Sequence, residues 1–303
     1  MPIFCKYDRS ISYLERGRGE PLLLIHGLGS SGADWALHVA ALEARFRVIV
    51  PDLPGSGHSA PLRNGCSIAE FAASLWALLD HLCESRVNIV GFSLGGAVGL
   101  EMALQRPAGV RRLALINSLA SYRLDHWRKW WEASLTMILV PLLGMRRAAR
   151  LAAKRLFPMP WQRYLRERAA AAVSAVPART YLATARALIG WTAIDRLDRL
   201  SSKTLVIAAE NDFTPLDEKR ALAARLGAQF VMVRGSRHGT PFDSVTATNA
   251  SLLALLTDQP LPPAEHRICD EAAQWDQLSL TGSLPAEHAM PRIPPFSRRQ
   301  AAT

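Results

Sequence analysis

Through the first 120 residues, short continuous apolar runs alternate with longer stretches in which apolar positions recur every three or four residues. The runs at 21–25, 47–50, 87–90 and 112–116 have the length and β-branched content of buried strands, and 35–44, 67–81 and 94–105 have helical periodicity. The same alternation resumes after residue 200, with strands at 204–208 and 229–233 and helices at 216–226 and 243–256. Strand followed by helix followed by strand predicts βαβ units, hence an α/β fold with a mostly parallel central sheet and helices on both faces.

From 121 to 200 the strand signal vanishes and the composition turns to Ala, Leu, Arg and Trp, with prolines at 141, 158, 160 and 177. This predicts a helical insertion in several segments broken at those prolines. From residue 260 the chain holds seven of its nineteen prolines and mixed charge without periodicity, the pattern of a disordered or loosely docked extension. The organisation read from the pattern is a core of residues 1–120 and 201–258, an insertion of 121–200 and a tail of 259–303. No internal repeat is present.

Composition narrows the class. With 49% hydrophobic and 20% charged residues over 303 positions, the chain has a substantial core, which excludes disordered, collagen-like and mucin-like proteins. Cys5, Cys66, Cys83 and Cys269 lie far apart without a C-x-x-C pair, which argues against a structural zinc site and a disulfide framework and makes a reducing cytoplasm the simplest compartment. The N-terminal residues lack the basic and apolar regions of a secretory signal. The longest uncharged apolar stretch, 133–145, is interrupted by Pro141 and is shorter than the roughly 20 residues a membrane span needs.

The most informative segment is Gly91-Phe92-Ser93-Leu94-Gly95, a G-x-S-x-G with an apolar strand before it and an Ala/Leu-rich helix after it. A sharp strand-to-helix turn tolerates only small neighbours and lifts the serine hydroxyl clear of the sheet, beside the unpaired N–H groups of the new helix. The bland alternative is a simple tight turn. A serine nucleophile needs a histidine base, which needs a carboxylate to hold its tautomer. His238 follows the last strand in a loop, which puts it at the same carboxyl edge of the sheet as Ser93. His26 ends a strand at that edge, but the glycines after it suggest a backbone role. Asp212 follows the strand at 204–208; Glu210 is the fallback acid, and Asp217 is read as a helix cap.

The order Ser93, Asp212, His238 is that of the α/β-hydrolase arrangement. With His26-Gly27-Leu28-Gly29 after one strand and Asp52-Leu53-Pro54-Gly55-Ser56-Gly57-His58-Ser59 after the next, the chain resembles the AB hydrolase-1 type of serine esterase over about residues 10–120 and 200–257. The resemblance implies an oxyanion hole from the backbone N–H groups of Leu28 and Leu94, and a helical cap in the insertion. Gly27, Phe92, Trp127 and Trp131 are then candidate substrate-binding residues. Family members that are epoxide hydrolases or haloalkane dehalogenases carry aspartate at the elbow, whereas this chain has Ser93. Asn117 stands where some members hold their acid, and Asp243 where many have glutamate. The triad supplies its own nucleophile, so no metal or organic cofactor is expected. The implied reaction is carboxylic ester hydrolysis, with three alternatives: an acyl ester or thioester on a carrier protein or coenzyme A, as in the pimeloyl-carrier methyl esterases; carbon–carbon hydrolysis of ring-cleavage products; or a non-catalytic receptor.

The net charge of +10 falls entirely in the insertion, where 15 basic residues face 5 acidic ones, so the remainder of the chain balances to zero. A solvated outer helix face accounts for this as well as an anionic partner does: an acyl carrier protein, a coenzyme A ester, a substrate carboxylate or an anionic membrane surface. Nucleic acid fits least, because no recognition motif accompanies the charge. Trp127, Trp130 and Trp131 beside Arg128 and Lys129 read either as an interfacial amphipathic helix or as the lining of an acyl pocket.

Overall fold

The computed structural model describes residues 1–6, 9–61 and 66–261. Its elements in chain order are β1 (Ile3–Lys6), β2 (Arg9–Arg16), β3 (Glu20–Ile25), α1 (Ala36–Leu42), β4 (Phe46–Pro51), α2 (Ile68–His81), β5 (Val87–Phe92), α3 (Leu94–Gln105) and β6 (Val110–Ile116). There follow α4 (Trp127–Leu143), α5 (Met145–Leu156), α6 (Arg163–Ala175), α7 (Ala178–Leu188), β7 (Lys203–Ala209), α8 (Leu216–Arg225), β8 (Gln229–Val233), α9 (Thr240–Asp243) and α10 (Val245–Leu256). The strands form one sheet in the order β1-β2-β4-β3-β5-β6-β7-β8, parallel from β4 to β8, with β1 and β2 antiparallel at one edge.

The apolar runs are continuous because both faces of the sheet are covered. On β3, Leu23 and Ile25 point into one layer with α2, α3 and α8, while the alternate Leu22 and Leu24 point into the other with α1 and α10. Helix α3 lies against the centre of the sheet, and every residue from Leu94 to Leu104 is buried, so it shows no polar face. Ser67 caps α2, its hydroxyl accepting from the Glu70 N–H at 3.1 Å.

The sequence pattern missed β1 and β2. Ser12, Tyr13 and Leu14 are all buried, so β2 has neither an alternating nor a purely apolar signature. The last predicted helix, 243–256, is divided at Ser244 into α9 and α10. The insertion is helical, as α4 to α7, but Pro141 lies inside α4; the break comes at Gly144, whose φ of 74° ends the helix. Near the helix C-terminus the missing proline N–H removes only one hydrogen bond, so the helix continues past it. Asp217 sits in the first turn of α8, whose N-cap is Pro215, so it is not the cap. The tail beyond residue 261 lies outside the described residues.

Candidate active site

The carboxyl ends of β5, β7 and β8 lie along one edge of the parallel sheet, with β6 between β5 and β7, and each releases one of the three predicted residues. Ser93 follows β5 with φ 53° and ψ −114°, a conformation that L residues rarely adopt and that costs on the order of 1–3 kcal/mol. The glycines around it permit the turn. A Cβ on Gly91 would lie 2.4 Å from the Gly95 carbonyl oxygen, and one on Gly95 would lie 2.2 Å from that of Ile25. The turn is tied down from behind: the Ser93 N–H donates to the Ile116 carbonyl at 2.9 Å, and the Ser118 hydroxyl donates to the Ser93 carbonyl at 2.8 Å.

His238 Nε2 stands 2.9 Å from Ser93 Oγ, and its Nδ1 stands 2.8 Å from Asp212 Oδ1. A carboxylate at Nδ1 requires the proton there, which leaves Nε2 free to accept from the serine hydroxyl. The imidazole is buried between the rings of Phe213 and Phe92, at centroid distances of 4.1 Å and 5.3 Å. Glu210 is exposed and accepts from the Gly235 N–H at 2.8 Å, outside this row.

Asp212 has further partners that sequence reasoning missed. Thr214 donates its hydroxyl to Oδ2 at 2.7 Å and its N–H to Oδ1 at 3.2 Å. Lys219, fully buried on α8, donates its ammonium to Oδ2 and reaches Asn117 Oδ1 at 3.4 Å. Burial pushes the Asp212 carboxyl up, but the facing His238 and Lys219 outweigh it and hold the group well below the usual carboxylate range. The sequence signal for Lys219 is its spacing: with Leu222 and Ala223 it forms the i, i+3, i+4 set that α8 buries.

Asn117 and His26 are structural. Asn117, with φ 48°, donates its amide to the His238 carbonyl at 2.9 Å and accepts from the Ala209 N–H at 2.7 Å, joining the ends of β6 and β7 to the histidine loop. His26 Nδ1 donates to the Gly27 carbonyl at 2.8 Å, and Nε2 accepts from the Leu53 N–H at 2.9 Å, so it is neutral. Burial lowers its pKa in the same sense. Asp243 accepts from the hydroxyls of Ser236 at 2.7 Å and Ser244 at 2.9 Å, bracing the loop before His238.

Ser93 and His238 open into a cavity of about 270 Å³ between the sheet edge and the insertion, with a mostly carbon wall that includes Leu28, Phe92, Phe157, Leu165, Val173 and Leu188. Among the described residues no group accepts from the Leu28 or Leu94 N–H. Gly27 is not on the cavity wall; it lies under Phe92, where a Cβ would approach the ring to 3.0 Å. Trp127 and Trp131 are not on this wall either. They are exposed and line a second, wider cavity of about 990 Å³ between α4 and α5, which also reaches Asp212 and His238. The charged side chains around the inner cavity are paired: Arg168 with Asp34 at 3.3 Å, Lys129 with Glu218 at 3.1 Å, and Arg155 with Glu132.

Residues 20–245 match the alpha/beta hydrolase fold family. The chain is an α/β hydrolase. This hydrolase is 35% identical over 249 residues to the protein named "Putative carbamate hydrolase RutD" of Variovorax paradoxus, a match covering 78% of this chain and 92% of that one. A shorter stretch of 110 residues is 44% identical to the "Magnesium-chelatase 30 kDa subunit" of Rhodobacter capsulatus, covering 36% of this chain and 37% of the relative. Among solved structures, a hydrolase from Pseudomonas aeruginosa superposes with a TM-score of 0.75 at 26% identity, covering 84% of this hydrolase and 97% of its own chain.

Proposed function

We propose that this hydrolase cleaves a carboxylic ester with an apolar acyl group through an acyl-enzyme intermediate. The observation that carries the reading is the hydrogen-bonded row from Ser93 Oγ through His238 to Asp212, opening on the apolar cavity. Ser93 Oγ attacks the ester carbonyl as His238 Nε2 takes its proton, and Asp212 stabilises the imidazolium. The carbonyl oxygen becomes negative between the N–H groups of Leu28 and Leu94, the second of which also carries the positive end of α3. Collapse breaks the ester C–O bond, and His238 returns the proton to the departing alcohol. Water, deprotonated by His238, then adds to the acyl carbon, and the acid is released as the C–Oγ bond breaks and His238 returns the proton to Ser93 Oγ.

The RutD protein is named for a carbamate, whose cleavage passes through the same tetrahedral species. The carbon-lined wall supports an acyl chain over a small polar carbamate. At about 270 Å³ the cavity lies near the small end of ligand pockets, which suits short to medium chains. A Ser93→Ala variant is expected to lose roughly four or more orders of magnitude in kcat on p-nitrophenyl butyrate. Turnover near that of the unmodified protein overturns the proposal, and faster hydrolysis of an aryl carbamate than of the matched ester overturns the substrate class.

A further inference from the structure

Ten of the twelve exposed large apolar side chains among the described residues lie between 121 and 200, in the segment that also carries the whole net charge. Five of them are on α4. Trp127, Trp130, Trp131, Ile138 and Leu142 fall within an arc of about 120° around the helix axis, at roughly 100° per residue. Lys129 and Val140 are buried on the opposite side. The stripe is therefore an outward face, not the face by which α4 packs.

Beside it, α5 buries Ala148, Ala149 and Ala153 and turns Arg146, Arg147, Arg150 and Lys154 outward. No acidic residue pairs with these four among the described residues. Five of the insertion's other basic residues, Lys129, Arg155, Arg163, Arg168 and Arg196, each meet a carboxylate. Four basic side chains without a carboxylate partner among the described residues thus share one helix, α5, which packs against α4.

We infer that this face of α4 and α5 docks the protein on an anionic phospholipid bilayer. Tryptophan is favoured at the headgroup level, where its ring is buried and its N–H stays wet, and arginine and lysine pair with anionic headgroups. Neighbouring exposed Trp, Ile and Leu with unpaired Arg supply both terms. A second copy of the chain would bring one basic face against another, and an acidic carrier protein would satisfy the charge without covering the apolar stripe. Docking is peripheral, since no helix among the described residues is long and apolar enough to cross a membrane. The wider cavity runs between α4 and α5 from Trp127 and Trp131 to His238, so its mouth lies at this face. The bilayer is then the source from which an apolar ester enters; that last step alone rests on the esterase reading, and docking does not.

The test is flotation of the full chain with phosphatidylcholine vesicles, with and without phosphatidylglycerol. Each basic side chain near an anionic surface is worth about fivefold in partitioning, so the anionic vesicles should bind at least about tenfold more tightly, with the difference lost in high salt. Replacing Arg146, Arg147 and Arg150 together by Gln should abolish the preference for anionic lipid. Replacing Trp130, Ile138 and Leu142 together by Ser should weaken binding about tenfold while the salt dependence persists. Thermal unfolding of both variants establishes that they are folded. Absence of vesicle binding, equal binding by the unmodified chain and both variants, or a dimer that the serine variant dissociates overturns the inference. Because flotation needs no turnover, its outcome is independent of Ser93.

Discussion

Asp212 turns Oδ1 to the imidazole of His238 and Oδ2 to the ammonium of Lys219, so its negative field is divided between two groups. When His238 holds the serine proton, that field stabilises the imidazolium, and the buried Lys219 charge subtracts from it. Lys219→Met is therefore expected to raise the acidic limb of the kcat/KM profile by about one pH unit, with a smaller change on the plateau above it. A limb that stays in place would make Lys219 a packing residue only. The same variant carries a linkage prediction. A carboxyl depressed in the folded state contributes stability that is present above its unfolded pKa and lost as the pH falls through the folded one. Without Lys219 the depression shrinks, so urea unfolding over a pH series should show a smaller loss of stability below about pH 4. The positions of Ser93, Asp212 and His238 were legible because each follows a recognisable strand in a set order. Lys219 was not, because its only signal is a place on the buried stripe of α8, and a lysine at such a place reads as surface until its partner is known.

The elements of the core were legible wherever a run was largely apolar, which is the mark of a strand covered on both faces, as in the buried centres of β3 to β7. Strand β1 at the edge and its neighbour β2 escaped because a short strand and a strand that buries a serine carry no such mark. The insertion was legible as helix but not as architecture, since nothing in its periodicity says where it touches the core. Phe157, just past α5, makes one such contact. It is 1% exposed, its ring meets that of Phe242 at 6.3 Å between centroids, and a Cβ on Gly239, next to His238, would lie 2.5 Å from it. The histidine loop is thus closed against the insertion. Phe157→Ala removes a buried ring and should cost about 3 kcal/mol, read by chemical denaturation. If the contact also holds His238 in line, kcat should fall more than KM rises. An unchanged kcat in a destabilised variant would show that the core alone positions the loop.

Across the whole molecule the charge is separated: the insertion carries +10 while the remainder of the chain balances to zero, and the wider cavity passes Arg128, Lys154, Arg155 and Arg237 on its way to His238. A field of this kind acts on approach and not on the bond-breaking step, and salt removes it as the Debye length falls from about 30 Å at 0.01 M to about 3 Å at 1 M. A neutral soluble ester feels no such field, so its kcat/KM should change less than about twofold over that range. An ester bearing a carboxylate on its acyl chain is drawn to the same mouth, and its kcat/KM should fall about tenfold or more while kcat holds. Parallel salt titrations on a matched pair, a p-nitrophenyl alkanoate and its ω-carboxylate, separate the two cases. If both esters respond alike, the charge does not reach the substrate's path. Its place on the outer faces of α4 and α5 then concerns only what the protein docks against.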